Sequence, residues 1–155
     1  MTKGDVAKNY FENGYNCAQA VALAFADEME LDGDTVARLT GGFGGGIGRM
    51  REVCGTVSGA AFVMSALYGS SDPKDSKSKA DLYAVIQQVA GEFKQINGSV
   101  VCRELLGLDR QGFDSPQPEA RTNAYYKKRP CSELVKISAD LLEAFVNEQS
   151  KNNCL

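Results

Sequence analysis

The chain has no histidine and no tryptophan among its 155 residues, and only four prolines. Without histidine there is no Ser/His/Asp triad, and any soft metal would have to be held mainly by sulfur. No two cysteines form a C-x-x-C pair, so a zinc ribbon, a thioredoxin-type site and a c-type haem attachment are all unsupported. Positive charge is not in excess either. Lys and Arg number 17 against 20 Asp and Glu, a net charge of −3, which gives no electrostatic case for nucleic acid or an anionic membrane. Apolar runs such as Gly59 to Tyr68 are too short to cross a bilayer, and membrane insertion is not expected. The start, Met1-Thr2-Lys3-Gly4-Asp5, lacks the apolar stretch of a signal peptide. A cytoplasmic location is therefore expected, where thiols stay reduced.

What the chain does have is sulfur. Cys17, Cys54, Cys102 and Cys131 are spread along it, and Cys154 sits in a polar tail that begins near residue 148. Reduced, widely spaced cysteines favour metal binding or redox chemistry over a permanent disulfide framework. The ordinary alternative is that each is a small buried hydrophobe. An apolar content of 43% with 24% charged residues is that of a globular protein, and residues 1–155 are expected to form one domain.

Apolar periodicity makes the chain all-α, with about five main helices in a single-domain bundle and a glycine-rich loop between them. Ala18, Val21, Ala22, Phe25 and Met29 form one stripe behind the N-cap Asn16, and an earlier helix runs from about Asp5 to Glu12. Leu82, Val85, Ile86, Val89, Phe93 and Ile96 form a second stripe, closed by Asn97-Gly98. Leu134, Ile137, Leu141 and Phe145 form a third, with Pro130 just ahead of it. Glu52 to Tyr68 reads as a further long helix. Shorter ones are expected from Asp34 to Leu39 and after a cap at Ser99. Gly112 to Pro118 reads as a loop, and Lys127-Lys128-Arg129 as a solvated helix end.

The segment from Gly41 to Gly48 holds six glycines in eight residues. Such density implies positive φ or very close approach of other groups. No frame gives G-x-G-x-x-G or a P-loop, so a tight turn packed on a cofactor or helix is expected rather than a phosphate cradle. Gly44, Gly45, Gly46 and Arg49 are its candidate supporting residues. In the next helix Gly55, Ser58 and Gly59 leave one face almost bare, open to another helix, a second copy of the chain or an inorganic cluster. Cys17, Cys54 and Cys131 fall at helix starts, where unpaired N–H groups stabilise thiolate. Cys102 is expected inside the short helix after Ser99. Arg49, Arg51 and Arg103 stand near these cysteines in sequence and would balance an anionic site, although surface solvation is the usual fate of an arginine.

The runs Gly14-Tyr15-Asn16-Cys17-Ala18-Gln19-Ala20, Gly42 to Met50, Cys54-Gly55-Thr56-Val57-Ser58-Gly59 and Cys102-Arg103-Glu104-Leu105-Leu106-Gly107 appear in that order, followed by Cys131. Together they resemble the C_GCAxxG_C_C family, described as redox-active. The resemblance covers roughly residues 5 to 145. It implies a small all-helical protein with Cys17, Cys54, Cys102 and Cys131 as the functional set. The family is similar to a domain of the split-Soret cytochromes, in which cysteines hold an iron–sulfur cluster. Haem is not carried over, because the chain lacks histidine. Thr56 departs from the alanine in the family's name, and Cys154 matches no motif position, which leaves it as an exposed tail thiol.

The leading expectation is an iron–sulfur redox protein serving electron transfer, with a partner protein that the residues do not identify. Metal-free thiol/disulfide cycling is the second reading. A structural zinc or interaction module is the third, with the glycine-bared helix as a packing or homodimer surface. No substrate pocket is legible in the sequence, and no residue is assigned a catalytic role.

Overall fold

The computed structural model describes residues 1–153, so Cys154 lies outside the described residues. Among these the chain is helical and contains no strand; a single antiparallel bridge joins Val53 and Val101. Eight right-handed α-helices form: α1 Lys3–Glu12, α2 Cys17–Leu23, α3 Gly33–Thr40, α4 Gly55–Tyr68, α5 Ser76–Asn97, α6 Cys102–Leu105, α7 Asn123–Lys128 and α8 Cys131–Asn152. That is more than the five or so expected. The difference lies in short elements such as α7, which has no buried residue and too few turns to show a periodicity. Packing supplies what the pattern cannot, because Tyr125 and Tyr126 of α7 lean on the Phe11 ring of α1.

Several boundaries follow caps that the sequence offers. Thr2 and Asp5 form a capping box on α1, and Asn16 and Gln19 form another on α2. Asp32 rather than Asp34 caps α3, and Asp75 caps α5 seven residues ahead of Leu82, where its apolar stripe begins. The stripe expected to continue from Asn16 to Met29 is α-helical only to Leu23 and then passes into turns.

α2 lies at the centre. Ala18, Ala20, Val21 and Ala22 are all fully buried, because α1, α3, α4 and α8 pack around it. A helix surrounded in this way needs small residues wherever a neighbour comes close. Ala18 meets Gly59 of α4, where an added Cβ would lie 2.7 Å from the Ala18 carbonyl oxygen. Phe25, Val36, Val63, Met64, Val135, Leu142 and Phe145 complete this core. A second apolar cluster of Cys54, Val57, Phe93 and Leu134 lies beside it, at the start of α4.

Candidate functional site

The starts of α2, α4, α6 and α8 converge. Cys17, Cys102 and Cys131 are the first residues of α2, α6 and α8, and Cys54 is the N-cap of α4. Cys102 is therefore not inside a helix capped by Ser99. Val101 takes the cap position, while the Ser99 hydroxyl accepts from the Val101 N–H. α4, α6 and α8 have no side-chain hydrogen bond at their caps. All four cysteines are free thiols lining one cavity of about 350 Å³.

The glycine run explains how the thiols fit. Gly45, Gly46, Ile47, Gly48 and Arg49 have φ of 66, 68, 63, 55 and 65°, a left-handed turn of five consecutive residues. Each non-glycine residue in that region costs about 1–2 kcal/mol, and a β-branched isoleucine is a clear outlier there. The turn is closed by bonds from the Arg51 and Glu52 N–H groups to the Gly45 and Gly46 carbonyls. It packs directly on the site: a Cβ at Gly46 would lie 2.7 Å from Cys102 Cβ. The bare face of α4 is likewise taken by protein. A Cβ at Gly55 would lie 2.3 Å from Cys17 Sγ, and the Ala18 backbone covers Gly59. Of the supporting residues expected from sequence, Gly44, Gly45, Gly55 and Arg49 line the cavity. Gly46, Ser58 and Gly59 do not, although Gly46 and Gly59 set the packing behind it.

Burial governs the thiols. Cys54 is pushed up to about 12, first by burial and then by the neighbouring Cys17, against the pull of Thr56, whose hydroxyl lies 3.2 Å from the sulfur. Cys131 is also pushed up to about 12 by burial and by Cys17. Cys17 is raised by burial, partly offset by the Gly45 N–H. Cys54 and Cys131 are therefore neutral in the folded, metal-free protein at pH values where an unfolded thiol, near 9.0, ionises. Their contribution to stability is thus complete below that pH and is lost as pH rises toward 12. Thermal melts of metal-free protein are expected to fall steadily above pH 9, with a shallower fall in Cys131→Ala. An unchanged slope in that variant would contradict this electrostatic picture.

Cys102 differs from the others in having a cation against it. Arg51 is 4% exposed, and its Nη1 lies 3.7 Å from Cys102 Sγ while its Nε donates to Asp114 Oδ2 at 2.8 Å. The expectation of a solvated arginine fails at this position because Asp114 supplies a buried counter-charge. Asp114 also pairs with Arg110, and together they hold its carboxyl well below the usual carboxylate range. Asp114 belongs to a strap, residues 108–122, that crosses the cavity mouth. Arg49 Nε donates to the Ser115 carbonyl, Arg103 to Gly112, and Arg121 to Phe11 and Tyr15. Pro116, Pro118 and Glu119 of the strap, with Tyr125 and Arg129 beyond it, form the outer wall. From sequence, Gly112 to Pro118 reads only as a loop and Lys127-Lys128-Arg129 as a solvated helix end. Lys127 and Lys128 are indeed exposed, but Arg129 stacks on Tyr125 and pairs with Glu119 at the cavity wall. No local pattern marks these residues, because their partners lie on other elements.

A helical chain that gathers four free thiols at four helix starts, under an arginine-pinned strap, defines a cysteine-centred protein. The model of the family described as "Putative redox-active protein (C_GCAxxG_C_C)" matches residues 15–145, and the chain belongs to that family. No curated protein and no solved structure matches it. Among the described residues no helix is long and apolar enough to cross a membrane.

Proposed function

We propose that Cys17, Cys54, Cys102 and Cys131 hold an iron–sulfur cluster and that the chain carries electrons. The observation that carries this reading is the sharing of one cavity by all four thiols, which are otherwise far apart in sequence. Among the described residues no three cysteine or carboxylate side chains are gathered tightly enough to hold a single metal ion. Sulfurs spread around a cavity suit a group of several atoms better than a lone zinc ion. When bound, such a cluster supplies reversible one-electron exchange. The chain's own contribution is electrostatic and steric. Arg51 sets positive charge against Cys102, and the Gly45 N–H faces Cys17. Phe11, Leu105 and Leu134 make part of the wall apolar, which limits water around the thiols.

Anaerobic purification followed by iron and sulfide analysis and visible spectroscopy tests the reading. Iron and sulfide in the wild-type protein, lost in Cys17→Ser and Cys131→Ser, are the expected result. A protein that stays colourless and iron-free after reconstitution would overturn it. Thiol counts before and after mild oxidation would then show whether the cysteines cycle instead between dithiol and disulfide.

A further inference from the structure

A second cavity of about 270 Å³ adjoins the thiol cavity, and Arg49, Arg51, Leu106, Glu119 and Arg129 line both. Its chemistry is different. Five cations, Arg49, Arg51, Arg110, Lys128 and Arg129, face only two carboxylates, Asp114 and Glu119. Both carboxylates are already engaged. Asp114 is paired with Arg51 and Arg110, and Glu119 accepts from Arg129 Nε and Nη2 at 3.1 and 2.6 Å. They therefore fix the guanidinium groups in place and leave an excess of three positive charges in the space.

Some of these cations have donors to spare. Arg49 uses Nε on the Ser115 carbonyl, while its Nη2 stands 3.8 Å from Asp114, beyond hydrogen-bond range. The Lys128 side chain makes no hydrogen bond or ion pair with the described residues, although it lines the cavity. In a protein of net charge −3, so local an excess of cations is unexplained by general solvation. Planar guanidinium forks match the paired oxygens of phosphate and carboxylate, and a lysine adds a point charge.

We propose that this basic compartment binds the anionic end of a small phosphate- or carboxylate-bearing molecule, whose remainder reaches into the thiol compartment. Anion binding stands on the five cations alone. Only its role beside a redox centre rests on the function proposed above. The shared wall supports that role, because one molecule spanning both spaces would touch Arg49 and Arg129 on its way from the charged pocket to the thiols.

Calorimetric titration of the full chain with pyrophosphate, inorganic phosphate and malonate, at matched ionic strength, tests the proposal. Saturable binding is expected for at least one of them, weakened tenfold or more in Arg110→Gln/Lys128→Gln. The oxyanion bound more tightly, phosphate or carboxylate, identifies the ligand's charged group. Both replaced side chains stand clear of the cysteines, so iron and sulfide content should be unchanged in the variant. Dilution heats alone with all three anions, or equal affinity in the variant, would overturn the anion site whatever the iron content. Anion binding by a chain that takes up no iron would uphold the site and count against the cluster.

Discussion

Replacing Gly46 by alanine is expected to destabilise the protein by about 3 kcal/mol or more, the sum of a handedness cost and an overpacking cost. Gly46 has φ +68°, and an added Cβ would lie 2.6 Å from the Glu52 nitrogen, 2.8 Å from the Arg51 carbonyl carbon and 2.7 Å from Cys102 Cβ. Two of these neighbours are backbone, so no side-chain rotation relieves the contact. A three-variant series separates the causes. Gly48→Ala shares the left-handed backbone, φ +55°, but opens onto free space, so only the handedness cost of about 1 kcal/mol applies. Gly42→Ala meets nothing and has no positive φ, so it should be close to neutral. Denaturant unfolding of the three would test this. Equal losses at Gly46 and Gly48 would mean that the close packing against Cys102 contributes nothing.

Asp114→Asn is expected to cost about 3 kcal/mol, because it strands the buried Arg51 guanidinium without a counter-charge. The exposed Arg110 loses little, since it is free to turn to solvent. Two comparisons make the cause visible. Arg51→Met/Asp114→Asn should be more stable than Asp114→Asn alone, as it removes the stranded charge along with its partner. The acid limb of stability should also change. Arg110 and Arg51 depress the Asp114 carboxyl in the folded state, so its contribution is complete at neutral pH. That contribution is lost only as pH falls below the ordinary carboxylate value of about 4 and on through the depressed one. Asp114→Asn should flatten that fall. A variant as stable as wild type, with the same acid slope, would show that the strap is not held by this pair.

Both predictions concern residues that connect the site to the rest of the chain, and they differ in how legible they were beforehand. The glycine run announced a need for positive φ or close approach, and Gly46 has both. Asp114 announced nothing, being one acidic residue in a turn-rich loop. Its importance comes from Arg51, 63 positions away. Arg51 in turn follows the left-handed turn, takes a positive φ of 61° itself, and lies against Cys102.

The sequence by itself determined that the chain is helical, where several helices begin, that sulfur is its distinctive chemistry and which family it belongs to. These are local matters: apolar spacing, capping side chains, missing histidine and an ordered set of motifs. Only the tertiary structure decided that four helix starts meet, that the bare face of α4 receives Cys17 and Ala18, and that a strap pinned by arginines covers the thiols. Those outcomes depend on contacts between residues tens of positions apart, and a contact of that kind leaves no mark on either residue's neighbours. The basic compartment follows the same logic. Arg49 and Arg51 lie in one segment and Arg110, Lys128 and Arg129 in two others, and folding alone turns a near-balanced composition into a concentrated positive field.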